Sequence, residues 1–332
     1  MVKKREKIKR KLLKPAEINK MQTIRGGEMI KKITILLSIL LIAFIFTGCY
    51  EKIPAINSEI FEETYTVENG MSLEVYNFNG SVTISKWDSN TVKVRAEKKT
   101  NFGKTELENV KINVERGTNL VVKSEKLAIN PKVSITYDIK IPNFMTLTDI
   151  ETSNGGIKIE GCKGNVFLRS SNGGIDVFDY EGDINGITSN GGIIAEKVNG
   201  NCDLRTSNGG IRVKDIQGFV KLDTSNGGIE AKGIGGIIGI RTSNGKIDVE
   251  VPSVQKGGAD ISTSNGSITA YISRKLNLNI DSSTSNGKIE VKDLEVTPIT
   301  SSDRILRGKL GSGGNLLTIT TSNANIYLMR MN

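Results

Sequence analysis

The sequence predicts an all-β fold: a parallel β-solenoid of the single-stranded β-helix kind, about 18 residues per coil, with a β-rich cap on its N-terminal side. Three observations predict it. A phrase close to "TSNGGI" recurs at one constant step, with its asparagine at Asn154, Asn172, Asn190, Asn208, Asn226 and Asn244. Apolar and polar residues alternate over short runs between the copies, which is the strand signal. Glycine is heavy (36 residues) while proline (6) and aromatics (5%) are scarce, and the glycines break every window long enough for a helix.

Residues 1–48 stand apart. They hold 12 of the 45 Lys and Arg but only 3 of the 36 Asp and Glu, so the remainder, with 33 of each, is neutral and the net charge of +9 belongs to the leader. The folded part therefore lacks the basic footprint of a nucleic-acid binder. From Met29, two lysines (Lys31, Lys32), an apolar run Ile33–Phe46 and "FTGC" form the layout of a secretory signal. Cys49 after Thr47-Gly48 resembles the lipobox of bacterial lipoproteins, with Phe46 unusual at its first position. The resemblance implies cleavage before Cys49, lipid on its sulfur, and a protein held outside the cytoplasm on the cell membrane. The alternative is a plain membrane anchor, but the apolar run reaches only about 22 Å of a ~30 Å hydrocarbon core. Residues 1–28 read as a mis-assigned translation start ahead of Met29, or as a basic cytoplasmic leader.

Residues 49–60 are expected to be a tether. Residues 61–150 alternate in "SLEVYNF", "SVTISKW", "TVKVRAEKK" and "KVSITYDIKIP" without the regular period. They are read as the cap over the first coil. Residues 151–332 are the solenoid. With Thr152 as position 1, position 6 is Ile157, Ile175, Ile193, Ile211, Ile229 and Ile247, and position 13 is Gly164, Gly182, Gly200, Gly218 and Gly236. Strands are expected at positions 5–9 and 14–18, with coils stacked ~4.8 Å apart. Carrying the alternation through the corner turns both Thr and Asn inward. The asparagines, continued at Asn265, Asn286 and Asn323, then form a buried structural ladder, and Gly-Gly supplies the positive φ of the bend. The longer step before Asn323 marks a loop insertion at about 292–318, the best place for specific recognition.

The segments "YNFNGSVTISKWDSNTVKVRAEKK", "YDIKIPNFMTLTDIETSNGGIKIEG", the "TSNGG" series and "GKLGSGGNLLTITTSNANIYL" together resemble a bacterial family known as "putative adhesin", whose repeats read T-S-N-G-x-I. The resemblance spans roughly residues 70–330. It implies a β-solenoid, often exported and sometimes lipid-anchored. Lys246, Ser267 and Lys288 replace the second glycine, and Ala324-Asn325 end the last copy.

There is no histidine, so imidazole catalysis and His-ligated zinc are excluded. The outward acids Asp176, Glu230, Asp248 and Glu250 are interleaved with bases and read as a solvated face rather than the paired carboxylates of a glycosidase. The acidic calcium-repeat pattern is missing, so no metal or cofactor is expected. Cys162 and Cys202, two coils from one another, are expected about 10 Å apart and unbridged. The expected function is non-catalytic: adhesion or cell-envelope interaction with a glycan or protein ligand. Self-assembly into a scaffold through coil ends and a polysaccharide-acting enzyme are the alternatives.

Overall fold

A run of five residues with alternate apolar side chains buries one face and leaves backbone donors and acceptors along both edges, which neighbouring runs must satisfy. In the computed structural model, which describes residues 56–331, strands meet that requirement almost throughout. The fold is all-β, one long and mostly parallel sheet in keeping with a β-solenoid. The 1–28 leader, the signal segment 29–48, Cys49 and most of the 49–60 tether lie outside the described residues.

Two parallel ladders run through the molecule. In one, Ile175 of strand Ile175–Glu181 pairs with Ile157 on one side and Ile193 on the other. In the other, Ile184 of strand Ile184–Thr188 pairs with Val166 and Cys202. Each partner lies one repeat away in the chain, so like stacks on like. Ile157, Ile175, Ile193, Ile211, Ile229 and Ile247 are each at most 2% exposed. Burying such a side chain stabilises by about 1.5–3 kcal/mol, and stacking identical β-branched residues fixes the register.

The ladders begin before the repeats. Strand Ser72–Tyr76 pairs in parallel with Thr146–Thr152, and Val82–Trp87 with Ile157–Glu160. Outside them, Leu120–Lys126 and Ser134–Pro142 add a further layer. Residues 61–150 are thus more than the cap the sequence suggests: they supply two layers continuous with the stack. At this end Asn57–Thr66, Thr91–Thr100 and Val110–Arg116 make antiparallel pairings along the edge.

The far end uses a matching device. Strand Asn315–Thr321 pairs with Ala259–Thr263 on one side and Leu278–Thr284 on the other. Ile326–Arg330 likewise lies between Ile268–Ile272 and Ile289–Lys292. The last coil in sequence is therefore the penultimate one in space. The long insertion is the return path, and it is a β-hairpin rather than a loop. Its strand Ile305–Leu310 runs antiparallel to Leu278–Thr284 and carries Val296–Ser301 on its other side. Pro298 and a register shift beside it interrupt that outermost strand, removing a donor from the exposed edge.

Candidate functional site

All nine predicted ladder residues sit on the repeated corner. The corner threonine points inward as expected: Thr152, Thr188, Thr206, Thr224 and Thr242 are buried. Each hydroxyl donates to a glycine carbonyl of the preceding coil, as in Thr188 to Gly173, Thr206 to Gly191 and Thr224 to Gly209, all at 2.8 Å. Ser170 does the same to Gly155 at 2.9 Å.

The asparagines do not point inward. Asn154, Asn172, Asn190, Asn208, Asn226, Asn244, Asn265, Asn286 and Asn323 are all exposed. The two-residue alternation holds only while the backbone stays extended; the bend after Thr turns Ser and Asn both to solvent. The amides still bond from coil to coil. Asn172 donates to Asn154, Asn190 to Asn172 and Asn208 to Asn190 at 2.7 Å. The row continues through Asn226, Asn244 and Asn265 at 2.8 Å. It ends with Asn323 on Asn265 and Asn286 on Asn323, which is the inverted spatial order of the last two coils.

The corner glycines also differ from expectation. None of Gly173, Gly174, Gly191, Gly192, Gly209 or Gly210 has a positive φ. The first glycine is needed for space instead: a Cβ on Gly209 would lie 2.0 Å from the Gly191 carbonyl oxygen. The second is looser, a Cβ on Gly210 meeting Gly228 oxygen at 3.2 Å, and that is the position where Lys246, Ser267 and Lys288 occur. In five successive coils a left-handed residue stands at position 10: Gly161, Asp179, Lys197, Asp215 and Gly233, at φ of 51–68°.

The second glycines floor one of the concave features among the described residues. Gly192, Gly210 and Gly228 floor a groove of about 540 Å³ that crosses several coils. Ile194, Arg212, Glu230 and Asp248 form one wall, and Lys246 stands where the next floor glycine would be. Arg212 bonds Glu230 at 3.1 Å and Lys232 reaches it at 2.9 Å. Lys246 lies 3.7 Å from Asp248. The hydrogen bond from Lys232, with Arg212 beside it, holds the Glu230 carboxyl below the usual carboxylate range. The same contact raises the Lys232 ammonium.

A second polar constellation has no counterpart in the sequence pattern. Tyr76 hydroxyl donates to Glu74 at 3.0 Å and lies 3.2 Å from Asp149, while Asn119 donates to the other Glu74 oxygen at 2.8 Å. Burial, with Glu151 nearby, pushes the Asp149 carboxyl up. These residues meet only because Ser72–Tyr76 pairs with the distant Thr146–Thr152, a register no local pattern announces. Asp176, Glu230, Asp248 and Glu250 lie on the outer face but do not converge in this way. Among the described residues no group of three His, Cys, Asp or Glu could hold a metal ion. Cys162 and Cys202 are free and buried, and burial pushes each thiol up to about 12.

No protein-family model matches the chain, and no curated protein matches it. Solved structures with some similarity include a "putative lipid binding protein" from Parabacteroides distasonis, 15% identical, covering 82% of this chain and 96% of its own, with a TM-score of 0.43. A "putative adhesin" from Bacteroides fragilis is 12% identical, covering 82% and 97%, with a TM-score of 0.37. A "putative cell adhesion protein" from Clostridium sporogenes is 12% identical, covering 82% and 100%, with a TM-score of 0.21.

Proposed function

We propose that the protein is a lipid-anchored, extracytoplasmic solenoid, one repeat per coil, that acts by binding, as an adhesin-like or cell-envelope interaction protein without catalysis. The observation that carries this reading is the groove over Gly192, Gly210 and Gly228. A floor of bare backbone beside a wall that carries both charges suits an extended polymer, a glycan or a peptide, lying along the stack. Its best-placed carboxylate, Glu230, is held ionised by two cations, which suits a polar contact and opposes a proton donor's role. Lipid on Cys49 would present the groove to the cell exterior.

Scaffold assembly through the ends fits less well. Of the outermost strands, one carries Pro298 and a register shift and another Glu59, Glu62 and Glu63, and both features discourage edge pairing. Gly210→Lys tests the proposal, because lysine is native at the equivalent position 246. Retention of isolated envelope polysaccharide or protein by the parent, lost in the variant at unchanged melting, is expected. Equal retention by both would contradict use of the groove.

A further inference from the structure

The large apolar side chains left exposed gather at the two ends of the stack: Ile56, Ile60, Phe102, Leu127 and Ile129 at one, Val291, Ile299, Ile305 and Leu316 at the other. The first group has a specific construction. Asn57, next to Ile56, pairs with Thr100, which leads directly into Asn101 and Phe102. The Thr100 hydroxyl donates to the Lys132 carbonyl at 2.7 Å, and the Lys132 amide donates to Glu106 at 2.7 Å. The Leu127 amide donates to the Asn109 carbonyl at 2.8 Å. These bonds join the 101–109 and 127–132 loops into one surface beside Ile56. On it Ile56 is 67%, Phe102 69%, Leu127 62% and Ile129 94% exposed.

Four exposed lysines, Lys104, Lys111, Lys126 and Lys132, lie on the same segments, among Glu59, Glu106, Glu108 and Glu125. None of the four enters an ion pair among the described residues; Lys126 lies over the Phe78 ring at 4.7 Å. Protruding apolar side chains set among lysines and glutamates fit a lipid interface, where the apolar groups enter the headgroup region and the ammonium groups reach phosphate. The length of the preceding chain selects that occupant. Ile56 stands seven positions after Cys49, a reach of at most about 25 Å. The apolar group at the other end stands about twelve layers away, roughly 58 Å along the stack.

We propose that the end of the solenoid bearing Phe102, Leu127 and Ile129 rests on the bilayer, so that the stack stands on the membrane instead of swinging from its tether. The proposal rests on the reading of Cys49 as the lipid anchor. The test uses the full chain, lipidated in cells and reconstituted in phosphatidylglycerol–phosphatidylethanolamine vesicles with brominated acyl chains. Phe102→Trp and Ile299→Trp are compared, Trp87 being a background common to both. The expected result is at least about twofold stronger quenching of the residue-102 signal than of the residue-299 signal. Co-flotation with vesicles but equal quenching at the two ends overturns the docking and leaves the anchor standing. A chain that carries no diacylglycerol mass on Cys49 and does not co-float overturns the anchor, and the docking with it.

Discussion

The Thr206 hydroxyl donates to the Gly191 carbonyl at 2.8 Å across the boundary between two coils, in the interior of the corner. Two positions on, Asn208 makes its own inter-coil bond to Asn190 at 2.7 Å, but in solvent. The repeated phrase therefore carries two parallel seams of different worth. A buried acceptor left without its donor costs about 1–3 kcal/mol, whereas an exposed one is taken up by water. The threonine seam is the one the fold depends on.

The glycine pair in the same corner should respond asymmetrically. Gly209→Ala places a Cβ 2.0 Å from a backbone oxygen that cannot move without unstacking a coil, and a loss of more than about 3 kcal/mol is expected. Gly210→Ala, at 3.2 Å, should cost less than about 1 kcal/mol. Urea unfolding of the two variants checks this.

Lys197 holds the left-handed position of its coil at φ 54°, a conformation unfavourable for a residue with a Cβ by roughly 1–2 kcal/mol. Its pair with Asp179 at 3.6 Å is exposed and contributes little. Lys197→Gly, which restores the residue found at 161 and 233, should raise stability by about 0.5–1 kcal/mol. A lower melting temperature would contradict this account of position 10.

The two buried thiols set an alkaline limit. Each is pushed up to about 12 from an ordinary value of 9.0. Between those values the unfolded chain has lost protons that the folded chain retains, so stability falls as pH rises. The contribution is complete below about pH 9 and is lost toward pH 12. Cys162→Ala/Cys202→Ala should flatten this part of the stability–pH curve. Native protein should also resist alkylation at pH 8 until it unfolds.

The inverted order of the last coils predicts an unusual truncation response. Ending the chain after Gly314 removes Asn315–Thr321 and Ile326–Arg330 from between their neighbours. Amide protection should then be lost over 278–292 as well as at the cut, since those strands lose their parallel partner. Retained protection in 278–292 would mean that the coil closes the gap directly.

How far the sequence displays this depends on whether the backbone stays extended and the partner is one period away. The isoleucine column at 157–247 and the inward threonines meet both conditions and were legible. Asn208 was not, because the alternation that places Thr206 ends at the bend between them. Position 10 was hidden because Lys197 obscures a column of Gly and Asp. The layers at 72–87 and 120–142 lack the corner phrase and stack out of chain order, so their pairing had no periodic signal. The groove was written in the second glycines, but these read naturally as turn residues until their loose stacking distances are known. Cys49 lies outside the described residues, and its role rests on the signal-like run before it.

The repeated phrase is architecture, with its weight on the threonine, and thermal and urea unfolding of Thr206→Val and Asn208→Ala, run beside envelope binding, decides the matter. Thr206→Val should lose about 1–3 kcal/mol and Asn208→Ala no more than about 1 kcal/mol, with binding retained by the folded Asn208 variant. Unchanged melting of Asn208→Ala together with lost binding would overturn this assignment and make the exposed asparagine row a ligand site.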